Sequence, residues 1–486
     1  MRRVDRIGLA ITFAASPVLA VELQEPALIP SSPVRTAIDW DTVAQYYDVR
    51  GPTGESILPI RRLTSTLAAE ASRVNEGGEV FAFRTRFRFD SDFGRGSDEI
   101  NPRNLGAYVP GFLRARADFL YAYFEARGLF RGRLDAKIGR QITMDPLGFW
   151  AFDGVSAKVR LPFPLELEAL AGFEERAGTL LSTGRYDRPG VWRGDRDGMD
   201  STAYPSFLDA SFAPAIGFTL ASTSLSWLSA KLVYRNVQNT GDVSTATFDP
   251  LAPGAVSNLG WRVSSERLGF SATLSPWKLG ALRTGFVFDF YNRAFTQGNV
   301  SLDAFLSKKW TVGADLEHFR PSFDADSIWN YFRIEPSEDM TVRASFQPSS
   351  TVSVSTSGGL RIRQAPDAQS LLAATWSARF RHRTAQNAHG AQFSGMWSDS
   401  ARRFGFDVYA ERTLWDNFVW EGRLSLWDFS DAFRPTRSAT SIGTTVALGY
   451  RFAPRTKALI EHQLEHSRLV DFRNRITVWL SVGGLP

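Results

Sequence analysis

The sequence predicts an all-β fold, a large antiparallel transmembrane β-barrel of roughly 18 to 20 strands. Three observations predict it. Residues 80–89 alternate phenylalanines at 81, 83, 87 and 89 with arginines at 84, 86 and 88, so a strand there would carry aromatics on one face and guanidinium groups on the other. The same period-two pattern recurs from Glu79 to Val482, broken by alternating short turns and longer polar stretches. The chain also opens like an exported protein: Arg2, Arg3 and Arg6 precede an apolar stretch from Ile7 to Ala15 and a cleavage site at Val18-Leu19-Ala20.

Residues 1–20 are thus expected to be a signal peptide cut after Ala20, directing the protein to the outer membrane. Its removal takes three Arg and one Asp, so the net charge falls from +5 to +3. Residues 21–78 show no sustained alternation and contain Pro26, Pro30, Pro33 and Gly51-Pro52; they read as an N-terminal periplasmic or lumen-inserted segment, with a short helix over 63–74. The barrel is expected to occupy 79–486.

Composition supports spanning by strands. Aromatics make up 13% of the chain, with 37 Phe and 14 Trp, yet no apolar run reaches the ~18 residues that a spanning helix needs. There is no cysteine, which excludes disulfides, thiolate metal sites and thiol catalysis. Arginine supplies 49 of the 56 basic residues and is spread along the strands against 51 acids, so the charge suits a polar, salt-bridged interior and not a nucleic-acid surface.

Along the chain, Leu113, Ala115, Ala117, Phe119, Tyr121 and Tyr123 oppose Arg114, Arg116 and Asp118. Leu282, Phe286, Phe288 and Phe290 oppose Arg283, Gly285 and Asp289, with Val287 breaking the rule. Trp310, Val312, Ala314 and Leu316 oppose Asp315 and Glu317, and similar alternation runs through 404–411, 442–452 and 475–482. Arg84, Arg86, Arg88, Arg114, Arg116, Asp118, Arg283, Asp289, Asp315 and Glu317 are therefore the expected pore-lining residues. Tight turns are expected at 161–163, 222–224, 276–278, 307–309, 348–350 and 453–455, and long loops near 91–111, 174–207 and 238–258.

The stretch Gly139-Arg140-Gln141 followed by Asp153-Gly154, with the Arg-bearing segment 112–116 upstream, resembles the strand pair of alginate-export-like outer-membrane porins. The resemblance covers some 50 residues. It implies a wide barrel whose Arg-lined lumen passes small or polymeric solutes, anionic ones included. A structural reading stands beside it, in which Gly139 relieves crowding and Asp153-Gly154 makes a turn. The chain departs from such barrels in ending Val482-Gly483-Gly484-Leu485-Pro486 instead of on an aromatic residue, with Trp479 a few positions short.

Catalysis finds little support. His462-Gln463-Leu464-Glu465-His466 matches a zinc-protease string that requires a helix, but on the strand expected there the two imidazoles would stand about 13 Å apart. His318, His382 and His389 carry no local motif, and neither a phosphate-cradling loop nor a dinucleotide fingerprint occurs. The residues point to a channel, porin or exporter, passing polar and anionic solutes or polysaccharide, with no enzyme activity, cofactor or metal. The competing readings are a barrel enzyme of lipase or protease type and a surface receptor barrel; the 58 residues of 21–78 are too few for a large plug domain. Expected partners are outer-membrane lipid, the barrel-assembly machinery and small polar or anionic solutes.

Overall fold

The computed structural model describes residues 34–485 apart from 52, 93–107, 110–114, 176–190, 193–212, 224, 241–242, 248–253, 259, 276–278, 323–334, 365–369, 400, 416, 432–438 and 468–470. The expected signal peptide, Arg114 and the turn 276–278 lie outside the described residues. Twenty-two strands form one antiparallel sheet that closes on itself. Closure is made by Arg35–Arg50, which pairs with Ser56–Val74 on one side and with Phe472–Leu485 on the other. A sheet closed this way has no edge, and every strand can satisfy its backbone groups from its neighbours without water. Two small sheets lie apart from the ring, one pairing Tyr108–Val109 with Val191–Trp192 and one pairing Val243–Thr247 with Gly254–Asn258.

The all-β barrel matches expectation, and the strand count exceeds it. Two strands come from 35–74, which the sequence reading placed in a separate leader with a helix over 63–74. That reading is corrected: the strand Ser56–Val74 pairs over Arg62–Val74 with Val80–Asp92, in register Glu70↔Arg84 and Thr66↔Arg88. Ala68, Ala69 and Ala71 put small residues on both faces, which blurs the alternation, and Leu, Ala and Glu favour a helix locally. Pairing with a strongly patterned neighbour overrides that preference.

The two faces separate as the alternation requires. Phe81, Phe89, Phe124, Ile138, Val155, Phe218, Leu302, Phe393 and Val446 are exposed on the outside, where a bilayer would cover them. Arg88, Asp90, Glu125, Asp135, Asp289 and Glu461 are buried on the inside. No helix among the described residues is long and apolar enough to cross a membrane, so any crossing is made by the strands. At this strand number the ring encloses a lumen too wide for wall side chains alone to fill.

One facing differs from expectation. Arg86 pairs with Tyr121 but Phe87 pairs with Phe119, so Leu120 is an extra residue that bulges the strand Ala115–Gly128. The bulge reverses parity. Phe119 faces outward and is exposed, while Tyr121 and Tyr123 turn inward beside each other with ring centroids 5.9 Å apart and Lys137 over Tyr123. The single aromatic face expected over 113–123 is corrected to two faces divided at the bulge.

The long connections 93–114, 175–213, 240–261 and 320–336 all leave one end of the ring, and short turns such as 161–164, 306–309, 347–351 and 454–455 close the other. Barrels of this type keep short turns in the periplasm and long loops outside, which orients the molecule.

Candidate functional site

The inner wall is where chemistry can act. Arg84 lies 3.2 Å from Glu70 and 3.3 Å from Glu125, Arg86 lies 3.2 Å from Asp41, and Arg88 sits between Asp90 at 3.8 Å and Asp118 at 3.9 Å. Asp90 is also tied to Arg62. Further round the ring Arg283 pairs with Asp303, Asp289 accepts from Arg267 at 3.1 Å, and Arg343 pairs with both Asp303 and Asp315. Glu317 stands exposed on the same inward parity as Asp315 and has no ion pair among the described residues. Arg116 is opposite Asp90 in the ladder, with its side chain outside the described residues. Most of the expected pore-lining charges are thus held by an opposite charge on the wall itself, which lowers the field that they project into the lumen.

The Gly139-Arg140-Gln141 and Asp153-Gly154 pair does something that its sequence did not reveal. The strand Leu134–Asp145 pairs with its neighbour Ala115–Gly128 only as far as Arg140↔Ala122, and Gly148–Arg160 pairs with Leu165–Glu174 only as far as Phe152↔Glu174. The two strands keep pairing with each other to Asp145↔Gly148. Beyond those rungs the hairpin leaves the wall and folds into the barrel, where its tip lies over strands that are not its neighbours. Arg235 on Leu228–Asn239 binds Asp145 at 2.5 Å. A Cβ on Gly269, on the strand Arg262–Leu274, would lie 2.7 Å from Leu147 Cδ2.

The departure point is built for this. Gly139 has φ of 125°, and a Cβ there would come within 2.3 Å of the Ala122 carbonyl oxygen, so only glycine lets the strand bend away so close to its neighbour. Arg140 then spans the opening: it donates to both Asp153 carboxylate oxygens at 2.8 Å, to Glu175 at 2.5 Å and to the Phe119 carbonyl at 3.2 Å. The Phe119 carbonyl lies beyond the last rung with the departing strand and would otherwise lack that partner. Gln141 donates to the Gly154 carbonyl at 3.0 Å and accepts from Ser156 at 2.8 Å.

The folded-in hairpin rests on an apolar bed. Trp150 and Phe152 are fully buried and stacked with centroids 4.5 Å apart, against Leu170, Ala213, Ala215 and Val237. The Trp150 indole donates to Glu174 at 2.8 Å and carries the Arg235 guanidinium on its ring at 4.4 Å. Val287, the residue that broke the expected alternation, is buried on the inward face beside Gly269, with Val233 on Gly269's other flank. These inward valines form the seat of the hairpin tip.

A different part of the wall carries cations without acids. The neighbouring strands Val352–Gln364, Ser370–Arg383 and Asn387–Ser398 contain no Asp or Glu. Arg361 pairs with Asp339 of the preceding strand at 2.6 Å, and among the described residues Arg379 is held only by Gln392, at 2.6 and 3.0 Å. Arg363, Arg381 and Arg383 share its inward parity and have no acid partner among the described residues. Ser353, Ser355, Ser357 and Ser377 line the same face between them, with Ser357 and Ser377 hydrogen-bonded at 2.8 Å. Arg383 borders a recess of about 770 Å³ at the short-turn end, shared with Arg86, Arg451 and Lys457 against Asp41 and Glu411. A sequence signal for this wall existed: residues 340–398 hold six arginines and one acid, Asp367.

The histidine string lies on the strand Thr456–Ser467. His462 bonds Asn474 at 2.8 Å and His466 lies against Asp471, so each imidazole has its own neighbour. No group of three or more metal-ligating residues occurs among the described residues.

No protein-family model and no curated protein sequence matches the chain significantly. Among solved structures the chain is similar to OccK3 (OpdO) of Pseudomonas aeruginosa, at 8% identity and a TM-score of 0.42, covering 93% of this chain and 95% of that one. It is similar to OpdK of Pseudomonas aeruginosa with vanillate, at 10% identity, TM-score 0.43 and 93% and 98% coverage. It is also similar to OccAB1 of Acinetobacter baumannii, at 9% identity, TM-score 0.40 and 93% and 96% coverage. With an apolar exterior, a charged interior and a closed 22-strand ring, the chain is a β-barrel of the outer membrane. What its lumen admits has to be read from its own side chains.

Proposed function

We propose that this outer-membrane barrel is a passive channel favouring small anionic solutes, which it guides along the arginine wall of strands 352–364 and 370–383. The observation that carries the reading is that wall: three adjacent strands without a carboxylate and four inward arginines, at 363, 379, 381 and 383, that no acid neutralises among the described residues. Fixed positive charge beside a low-dielectric wall raises the local concentration of anions. Serine hydroxyls between the arginines can take over hydrogen bonds that a desolvating anion gives up.

The hairpin adds a steric element. It leaves the wall half-way round the ring from the strand bearing Arg379 and Arg381, so it thickens the side facing the arginines. A lumen occupied in this way favours small solutes over a polysaccharide. The residues that resemble alginate-export-like porins serve as pivot and latch of that hairpin, which supports a structural role for them over a cargo-binding one. Arg84, Arg86, Arg88, Arg283, Asp289 and Asp315 belong to the lumen lining as a neutral scaffold, with Glu317 as an exposed acid in it. Cleavage after Ala20, assembly by the barrel-assembly machinery and the absence of enzyme activity belong to the same proposal.

The test is the reversal potential of single channels in a salt gradient. Replacing Arg363, Arg379, Arg381 and Arg383 with Gln is expected to lower the anion-to-cation permeability ratio about threefold to tenfold at low salt, with the difference shrinking as salt shortens the screening length. An unchanged ratio in a folded variant would overturn the reading.

A further inference from the structure

The outer surface carries a cluster that the channel does not use. His382 and His389 face each other across the ladder between Ser370–Arg383 and Asn387–Ser398, with rings stacked at a centroid distance of 5.5 Å and 29° between planes. Both share the outward parity of Phe380 and Phe393, which are exposed to the bilayer side. Only the rung Arg383↔Ala388 separates them from the short turn 384–386, so they sit at the periplasmic rim. On the next strand, Ala401–Leu414, Ala410 stands opposite His389, and Arg412 lies two residues nearer the same rim, on the same face and opposite Trp420. The exposed Trp415 follows in the turn.

Two imidazoles and, on the adjacent strand, a guanidinium therefore share the outward face at the depth where a bilayer changes from acyl chains to headgroups. Among the described residues, none of the three has a hydrogen bond or ion pair within the protein. The strands bearing the histidines contain no acid, and Glu411 is on the opposite, inward parity. Above the cluster, toward the middle of the membrane, the outward face continues as Phe380, Phe393 and Phe406, the last two with rings 6.0 Å apart. Donors without acceptors at the rim, with an apolar ridge rising from them and tryptophans alongside, complement one kind of molecule: a phosphate ester with acyl chains. A transition metal fits less well, because a third protein ligand is missing.

We propose that His382, His389 and Arg412 bind the headgroup phosphate of an anionic phospholipid in the periplasmic leaflet, with its acyl chains along Phe380, Phe393 and Phe406. The imidazole and guanidinium N–H groups donate to the phosphate oxygens, and the guanidinium supplies a charge-assisted pair. The site stands apart from the anion path inside the barrel and does not depend on it.

Native mass spectrometry of the full chain, released from nanodiscs of phosphatidylethanolamine with phosphatidylglycerol, tests the site. The parent protein is expected to retain one phosphatidylglycerol, and the His382→Gln, His389→Gln, Arg412→Gln variant to retain it about tenfold less often, as the loss of charge-assisted hydrogen bonds requires. Arg412→Gln alone, an exposed change, is expected to show a smaller loss in the same direction should the triple variant fold poorly. Inorganic phosphate added at the same concentration as the lipid should fail to displace it. Equal lipid retention in the parent and in folded variants would overturn the proposal, as would displacement by inorganic phosphate at equal concentration, which would mark a free-anion site.

Discussion

Arg140 and Asp153 face each other across the rung where the inward hairpin parts from the barrel wall, joined by two hydrogen bonds of 2.8 Å. The same guanidinium holds Glu175 and the Phe119 carbonyl, so one side chain closes the opening that the departing strands leave. Hairpin position and wall closure therefore meet at one side chain.

Arg140→Ala should leave Glu175, which is buried, and the Phe119 carbonyl without that partner. Asp153 is 46% exposed in its side chain and can turn to water, so the expected cost is about 1–3 kcal/mol in urea unfolding from lipid vesicles. Single-channel records of this variant should show added current noise from a loosened hairpin. Arg140→Lys should restore little, because an ammonium cannot reproduce the planar fork.

Gly269 gives a test of the tip. A Val or Leu side chain there has to displace Leu147 and Pro146, both within 3.1 Å of the position that its Cβ would take. The hairpin should lift from its seat and the open-channel conductance should fall. Gly269→Ala combined with Leu147→Ala should recover the parental conductance, since one small side chain then fills space vacated by the other.

Replacing Arg84, Arg86 and Arg88 together with Gln is expected to lower the anion-to-cation permeability ratio, because it removes three positive charges and unmasks the carboxylates beside them. Those carboxylates are Glu70, Glu125, Asp41, Asp90 and Asp118. A stability cost of about 1–3 kcal/mol should accompany it in unfolding experiments, because Asp90 and Glu125 each lose one charge partner while Asp90 keeps Arg62 and Glu125 keeps Arg127 and Lys137. Reversal potentials and urea midpoints measured on the same preparation separate the two effects.

Gly139→Ala should fail at folding. It forces an L side chain into φ of 125° and against the Ala122 carbonyl, a combination worth several kcal/mol of strain and overlap. The expected outcome is loss of the folded band in refolding trials from urea, with little recovery at low temperature.

What the sequence made legible follows from where its signals are local. Alternation in 80–89 and 282–289 is a property of neighbouring residues, so it reports faces correctly without knowledge of partners. Ser56–Val74 escaped because its alanines serve both faces, and its strand character comes from pairing with Arg35–Arg50 and Val80–Asp92. The bulge at Leu120 was illegible for a similar reason: it is a mismatch between two strands and exists in neither alone. Val287 looked like noise in its own strand, yet it is explained by Leu147, 140 positions away, lying over its neighbour Gly269. Arginines 84, 86 and 88 stand out by spacing, whereas the acid-free wall stands out only by what 340–398 lacks.

The bond between Ser481 and Asp41, 2.6 Å long and spanning 440 positions, has a kinetic meaning. The strand 35–50 leaves the translocation machinery early but can complete its second ladder only after 472–485 has followed. Until then the sheet has two open edges, each a row of unpaired amides that would template aggregation. Contacts this distant in sequence also make the final step slow. The half-built ring therefore has to be sheltered for as long as its last strand is missing, and shortening that wait would raise the yield of folded protein more than strengthening any single ion pair within it.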